Sequence, residues 1–207
     1  MATEAPPTFG EQVFKKYFHA CAFFRSREEE HRIMTSFVSE ALGEGQRVTY
    51  LVAPEHFAHH RQRLEQAGLD LGHNGDLLEV QPWGGGPISD GSFDIDRLLA
   101  MLEALFEDGR KAGSPRQRVF GQADWMYDHV PAPEVLLEYE ARGNDIIARM
   151  KQPAMCCYQL DRMDARTMMD LLRAHPLAVV GGALYENPFY TPPAQMLAEL
   201  RAQRKAL

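Results

Sequence analysis

Short apolar segments alternate with longer segments of helical periodicity along most of the chain, and this alternation limits the fold more than any other sequence feature. The apolar segments lack an alternation of polar and apolar residues, which is typical of strands buried on both faces. Predicted strands cover residues 19–24, 47–52, 77–80, 118–123, 154–160 and 177–184, and predicted helices cover residues 28–42, 55–67, 94–107, 133–150 and 165–174. This order predicts a three-layer α/β/α domain with a mainly parallel central sheet.

Composition excludes several classes of protein. The chain has 207 residues, of which 45% are hydrophobic, and no apolar run reaches the roughly 20 residues of a membrane span. Residues 1–10 lack the basic start and apolar core of a signal peptide, so we expect a cytoplasmic protein without a membrane partner. A net charge of −7 argues against nucleic-acid binding. Three cysteines, two of them adjacent, predict reduced thiols and not disulfides.

We divide the chain into three parts: an N-terminal extension at residues 1–16, a single domain at residues 17–191 and a C-terminal helix at residues 192–207. The helix is predicted to begin after the pair Pro192 and Pro193. Met196, Leu197 and Leu200 lie along this helix and are available for docking or for self-association, so a homo-oligomer is one expectation.

The first predicted strand carries a family resemblance. Its sequence, His19-Ala20-Cys21-Ala22-Phe23-Phe24, resembles the His-x-Cys-x-Phe-aromatic signature that opens the MEDS family, the methanogen/methylotroph, DcmR-type sensory domain. Other segments resemble later landmarks of the family in the same order: Phe24-Arg25-Ser26, residues 48–55, Tyr139-Glu140, residues 157–161, His175-Pro176 and residues 187–190. The resemblance extends over nearly the whole chain.

The resemblance implies a fold related to the RecA and KaiC ATPases. It also implies a role in sensing small molecules, such as hydrocarbon-derived or one-carbon compounds, for transcriptional or kinase signalling. Relatives often carry a helix-turn-helix or kinase module, for which this chain has no room, so we expect the output to pass through a separate signalling partner or through self-association. We expect neither catalysis nor a cofactor.

The turn after the first strand differs from a phosphate-binding loop. A nucleotide-hydrolysing relative has glycines and a Lys followed by Ser or Thr there, because backbone amides and a cation must meet the phosphates. Here the turn reads Arg25-Ser26-Arg27-Glu28-Glu29-Glu30, without glycine and with carboxylates that repel a triphosphate. We interpret it as a degenerate phosphate loop: an exposed acidic turn in which Ser26 caps the next helix. A lesser alternative is that Arg25 and Arg27 contact an anion.

Aromatic and polar residues follow neighbouring predicted strands at their carboxyl ends, where open α/β sheets bind ligands. Asp124 and Trp125 follow one strand and Trp83 follows another. Together with Phe24, Tyr127 and Tyr158, the two tryptophans are predicted to wall an apolar pocket, with Asp124 as a polar anchor. The alternative is that these aromatic residues belong to the ordinary core.

Glu140 falls beside the apolar stripe of the helix at residues 133–150, with Asn144 one turn later on the same side. A carboxylate there is either paired with a buried cation or hydroxyl, or exposed to a pocket, because a buried unpaired carboxylate costs several kcal/mol or becomes protonated. Tyr139-Glu140 resembles a recurrent pair in the family, and this is compatible with both readings.

His19 and Cys21 lie two residues apart on one face of the first strand. They can form half of a metal site, with Cys156 or Cys157 and His175 as the other ligands, but the spacing matches no zinc motif and we predict no metal. The alternatives are that Cys21 is a core residue and His19 a hydrogen-bonded polar group, or that His19 contacts a ligand.

The leading hypothesis is a noncatalytic sensor whose small ligand enters near the carboxyl ends of the sheet. The predicted ligand-binding residues are His19, Cys21, Phe24, Trp83, Asp124, Trp125, Glu140 and Tyr158. Two alternatives stay open: an interaction module without a small ligand, and an unorthodox nucleotide- or metal-binding enzyme.

Overall fold

A computed structural model of the protein describes residues 19–69, 71, 76–83, 93–114 and 116–206. The side chains of Trp125 and Ala206 are not described. The predicted extension at residues 1–16 lies outside the described residues, as does the side chain of the predicted ligand-binding residue Trp125.

The strands of the described chain form one sheet of seven, in the order β3-β2-β4-β5-β1-β6-β7. Every neighbouring pair is parallel except β6 and β7, so the prediction of a mainly parallel sheet is confirmed. The strands are β1 His19–Phe24, β2 Arg47–Val52, β3 Leu78–Pro82, β4 Gln117–Gln122, β5 Ala154–Gln159, β6 Leu177–Val180 and β7 Ala183–Glu186.

Six helices are described: α1 Arg27–Gly43, α2 Phe57–Gln66, α3 Ile95–Lys111, α4 Pro133–Met150, α5 Ala165–Ala174 and α6 Pro193–Ala206. Alternate residues of β1 enter two separate hydrophobic cores, because successive side chains of a strand point to opposite faces. Ala20, Ala22 and Phe24 pack with residues of α1 and α2, whereas Cys21 packs in the core that holds residues of α3, α4, α5 and α6. Helices therefore cover both faces of the sheet.

The single strand predicted at residues 177–184 is wrong, because the structure divides this segment into β6 and β7. Gly181 and Gly182 adopt φ values of 61° and 88°, a left-handed conformation that favours glycine. Two consecutive residues of this kind form the tight turn of a β-hairpin. The chain therefore reverses, and Val180 pairs with Ala183 in an antiparallel register.

Helix α6 packs on its own domain. Met196 and Leu200 are buried in the same core as residues of α4 and α5, and Glu199 and Arg204 form ion pairs with Arg173 and Glu138. The apolar residues that were predicted to dock this helix therefore pack against the protein's own core. None of the described helices has both the length and the apolarity needed to cross a bilayer.

His60 of α2 is buried, and no hydrogen bond from the described residues offsets the cost of burying its polar ring. It is 1% exposed, it packs against the rings of Tyr50 and His31 at 4.2 and 4.6 Å between centroids, and neither of its ring nitrogens has a hydrogen-bond partner among the described residues. Burial, together with the positive charges of His31 and Arg27, lowers the pKa of His60 from 6.5 to about 3. The folded protein therefore keeps this ring neutral in mild acid.

We expect His60 to make the protein less stable as the pH falls below 6.5, its pKa in the unfolded chain. Below that pH the unfolded chain takes up a proton that the folded protein excludes, which removes about 3 kcal/mol of stability by about pH 4.5. Urea unfolding at several pH values should show the loss, and His60→Leu should reduce its slope by about one proton. The exposed neighbour His59 serves as control, and His59→Gln should keep the slope. An unchanged slope in His60→Leu would contradict the argument.

Candidate functional site

Helix α4 places Glu140 and Asn144, one turn apart, against the sheet, with both side chains buried. The Oε1 atom of Glu140 accepts a hydrogen bond of 2.6 Å from the Tyr158 hydroxyl of β5. A buried hydroxyl therefore pairs with one of the two carboxylate oxygens, as one of the sequence-based alternatives predicted. The other oxygen, Oε2, has a different set of neighbours.

Four side chains converge around this second oxygen, and we call His19, Glu140, Cys156 and His175 the polar cluster. The Oε2 atom lies 3.4 Å from His175 Nε2, 3.6 Å from His19 Nε2 and 3.8 Å from Cys156 Sγ. His19 Nε2 lies 3.5 Å from Cys156 Sγ. One ligand-type atom from each residue lies within 4.8 Å of the other three. The cluster thus joins β1, α4, β5 and the residue after α5.

Outer hydrogen bonds fix the tautomers of the two histidines. His175 Nδ1 lies 2.7 Å from the Leu171 carbonyl oxygen, which only accepts, so Nδ1 carries the proton. Asn144 Nδ2 donates to the carbonyl oxygens of Ala174 and Glu140, so its Oδ1 accepts from His19 Nδ1 at 3.2 Å. In the neutral rings both Nε2 atoms therefore present lone pairs to Glu140.

Burial sets the charges in the cluster. Burial and the neighbouring His175 lower the pKa of His19 to about 3, so this ring is neutral at pH 7. Burial alone would raise the pKa of Glu140, but its electrostatic attraction to His175 outweighs burial, and the pKa is lowered. Burial and the Glu140 charge raise the pKa of the Cys156 thiol well above its ordinary value. The cluster therefore holds a carboxylate beside a neutral imidazole and a protonated thiol.

A small cavity of about 20 Å³ adjoins the polar cluster, between the sheet and helices α3 and α4. His19, Glu140 and Cys156 form its polar end. Its remaining wall is mainly apolar: Leu51, Trp83, Met101, Leu102, Val119, Gly121, Tyr139, Gly143, Ile147, Ala154 and Met155. Such a space holds about one water-sized molecule. A mainly apolar cavity with a few converging polar groups is the usual form of a small-molecule site.

Trp83 forms a fixed part of this wall. Its indole N–H donates a 2.9 Å hydrogen bond to the carbonyl oxygen of Gln122. The ring lies so close to Gly121 that a Cβ atom added there would approach Trp83 Cζ2 to 2.8 Å. Only glycine leaves room for the indole at this position of β4.

The structure brings four of the predicted ligand-binding residues together: His19, Trp83, Glu140 and Tyr158. Cys21 shares their face of the sheet, but its Sγ lies 3.6 Å from the Leu177 carbonyl oxygen and belongs to the core. Phe24 packs on the opposite face, because it is an odd number of residues from His19. Asp124 is buried beneath Arg27 and Arg162. The structure therefore does not place Cys21, Phe24 and Asp124 at the carboxylate of Glu140 with these four residues.

The ligand site was predicted at the carboxyl ends of the strands, and the polar cluster lies elsewhere. His19 is the first residue of β1 and pairs with Ala154, the first residue of β5. The polar cluster therefore lies toward the amino ends of these strands, beneath α4. Sequence reasoning considered Cys156 and His175 as partners of His19 and Cys21 in a metal site, and missed that they face Glu140. The spacing of Glu140 and Asn144, one helical turn apart on a buried face, was the sequence feature that could have indicated this cluster.

The structure agrees with part of what was predicted for the turn after β1. Ser26 Oγ accepts a 3.2 Å hydrogen bond from the Glu29 amide and caps α1, as predicted. The prediction that all the glutamates of this turn are exposed is wrong for Glu30, which is 1% exposed. The first turn of α1 directs Glu30 inward, because residues on a helix point in successive directions about 100° apart.

Glu30 is the centre of a second buried polar group. Its Oε1 accepts hydrogen bonds from the Tyr50 hydroxyl at 2.8 Å and from Gln122 Nε2 at 2.9 Å, and its Oε2 accepts from Arg27 Nη1 at 2.6 Å. Arg27 Nη2 also donates to Asp124 at 2.6 Å, so two carboxylates hold this guanidinium. Tyr50 Oη also lies 4.0 Å from Cys157 Sγ. The chain's own carboxylates therefore pair with both terminal nitrogens of Arg27, whereas its Nε has no hydrogen-bond partner among the described residues.

A mainly parallel α/β sheet with a polar cluster and an adjoining cavity enclosed beneath α4 defines an α/β domain with an internal candidate site. A family profile for the MEthanogen/methylotroph, DcmR Sensory domain, MEDS, matches residues 18–176. The chain belongs to the MEDS family, which confirms the resemblance and indicates a sensory role. All four residues of the polar cluster lie within the matched range. A comparison with curated proteins finds no match.

Proposed function

We propose that the protein is a noncatalytic sensory domain that binds a small, mainly apolar molecule with one hydrogen-bond donor. The observation that carries this proposal is the cavity whose apolar wall ends on the polar cluster. Glu140 Oε2 and, in the neutral ring, His19 Nε2 are acceptors at the polar end of this cavity, so they favour a ligand that donates. Small alcohols and amines, including one-carbon compounds, have this chemistry.

The size of the cavity supports a link between binding and movement. About 20 Å³ is too little for a molecule larger than a few atoms, so such a molecule must displace α3 or α4 from the sheet. A ligand that favours the displaced arrangement shifts the population toward it. Transfer of this change to a partner protein is part of the proposal, and it rests on the sensory description of the family alone.

The turn after β1 supports two further parts of the proposal. These are the absence of catalysis and a relation to the RecA and KaiC fold with a degenerate phosphate loop. Its helix begins with Glu28, Glu29 and Glu30, and the guanidinium of Arg27 is held by Glu30 and Asp124. Binding a triphosphate there would require breaking buried ion pairs and placing phosphates beside carboxylates. Both changes are unfavourable.

We expect Gly143→Ala to stabilise the protein and to abolish ligand binding. A Cβ atom at this position of α4 would lie 3.9 Å from Leu99 Cδ2, an ordinary contact, and would occupy the cavity that Gly143 lines. Replacing glycine by alanine inside a helix stabilises by about 0.5–1 kcal/mol. Thermal unfolding with and without methanol, ethanol and methylamine should show a ligand-induced rise in Tm for the wild-type protein and none for Gly143→Ala.

Gly43→Ala is the matched control, since a Cβ atom at the end of α1 meets nothing within 4 Å among the described residues. This variant should keep the response to ligand. Dimethyl ether, which cannot donate a hydrogen bond, should bind more weakly than ethanol. The proposed function would be rejected if none of these donors raised the Tm of the wild type, or if Gly143→Ala responded as the wild type does.

A further inference from the structure

We propose that the polar cluster binds one divalent transition-metal ion, for which zinc is the best match, through Nε2 of His19 and His175, Oε2 of Glu140 and Sγ of Cys156. This goes beyond the proposed function, which requires no metal. The ion would take the acceptor atoms that a donating ligand uses, so the metal and the ligand would compete for them. Imidazole and thiolate ligands favour zinc and similar ions over magnesium and calcium, which prefer all-oxygen sites.

The distances within the cluster match the edges of a tetrahedron around such an ion. Ligand atoms about 2.0–2.3 Å from a tetrahedral zinc lie about 3.3–3.6 Å from one another. Here Glu140 Oε2 lies 3.4 Å from His175 Nε2, 3.6 Å from His19 Nε2 and 3.8 Å from Cys156 Sγ, and the His19–Cys156 edge is 3.5 Å. Movements of a few tenths of an ångström would bring these four edges to tetrahedral length, and the two other edges, from His175 to His19 and to Cys156, are at most 4.8 Å.

The hydrogen bonding of the cluster also favours a bound cation. His175 Nε2 is buried and makes no hydrogen bond within the described part of the chain, although it points toward Glu140. When both rings are neutral, two imidazole lone pairs and a carboxylate oxygen face one another, and the Cys156 thiol supplies the only hydrogen among them. A metal ion would satisfy all four groups, with the thiol proton released to solvent.

Groups outside the cluster hold the four ligands in orientations suited to a metal. The Leu171 carbonyl fixes one imidazole and Asn144 the other, each through Nδ1, while the Tyr158 hydroxyl holds Glu140 Oε1 and leaves Oε2 free. Metal-binding histidines usually donate their second ring N–H in this way. Four protein ligands close the coordination shell, so the ion would join β1, α4, β5 and the residue after α5.

The test uses the full chain, freed of metal with a chelator and titrated with Co²⁺ in the absence of any small-molecule ligand. We expect one Co²⁺ per chain, with strong visible bands of tetrahedral cobalt and a thiolate-to-cobalt charge-transfer band. Zn²⁺ should remove both features by displacement and should raise the Tm. Cys156→Ser should lose the charge-transfer band, and His175→Gln should weaken binding at least tenfold. Cys157→Ser is the matched control, because this cysteine faces the other core, and it should bind Co²⁺ as the wild type does.

A wild-type chain that binds no stoichiometric Co²⁺, or that binds it without a charge-transfer band, overturns the proposal. The same conclusion follows if Cys156→Ser keeps the band while Cys157→Ser loses it. Should a variant not fold, the wild-type spectrum still decides. Failure of methanol, ethanol and methylamine to bind would reject the proposed function and leave the metal result unaffected, so the two outcomes are distinguishable.

Discussion

Glu140→Ala should lower the free energy of unfolding by about 3–5 kcal/mol, the usual cost of removing one member of a buried polar pair. The substitution leaves the Tyr158 hydroxyl buried without the acceptor that now lies 2.6 Å away, and it empties the centre of the polar cluster. Urea unfolding of chelator-treated protein at pH 7 measures this effect separately from any bound metal. Glu140→Gln retains an acceptor for Tyr158 and should lose less.

Glu138, two residues earlier on α4, provides the control. Its carboxylate lies at the surface beside Arg142 and Arg204, and surface ion pairs of this kind contribute little. Glu138→Ala should therefore unfold at nearly the wild-type urea concentration. If Glu140→Ala were as stable as Glu138→Ala, the buried carboxylate would have no structural role.

Glu30→Ala should have an effect of similar size, about 3–5 kcal/mol. It would leave the Tyr50 hydroxyl and Gln122 Nε2 buried without their shared acceptor. Arg27 would lose one of the two carboxylates described above and keep Asp124. The measurement is again urea unfolding at pH 7. A Glu30→Ala protein with an unchanged midpoint would show that Glu30 contributes as little as an exposed glutamate of the same turn.

Glu28 is that exposed glutamate and serves as the comparison. Its side chain is 75% exposed and pairs with Arg63 at the surface. Glu28→Ala should leave the unfolding midpoint almost unchanged, because solvent screens an exposed ion pair. The two substitutions remove the same charge from the same turn of α1, so the difference between them reports burial.

The secondary structure was largely predictable from the sequence. The bounds predicted for β1, β2, α4 and α5 agree with the structure, because apolar patterns of period 3.6 and unbroken apolar runs arise from local contacts. The β6–β7 hairpin was not predicted, since an apolar run gives no sign that the chain reverses within it. The two glycines at its centre were the local indication.

The site was less predictable, because it depends on which strands are neighbours. Glu140 was recognised as a polar residue on a buried helix face, but its contact with His19 requires β1 to lie between β5 and β6 with α4 above them. Strand order in a parallel sheet depends on crossover connections between distant segments. Local patterns therefore identified the residues of the polar cluster without identifying their partners.

The adjacent cysteines of β5 have a consequence for how the two faces of the sheet are connected. Cys156 belongs to the polar cluster, and Cys157 lies 4.0 Å from the Tyr50 hydroxyl that binds Glu30. One peptide unit thus separates the enclosed site from the buried ion pairs of the turn after β1. A strand in the middle of a sheet is held by both neighbours and moves as a stiff unit. If an occupant of the cavity displaced β5, the contacts of Glu30 and Arg27 on the other face of the sheet would therefore change as well.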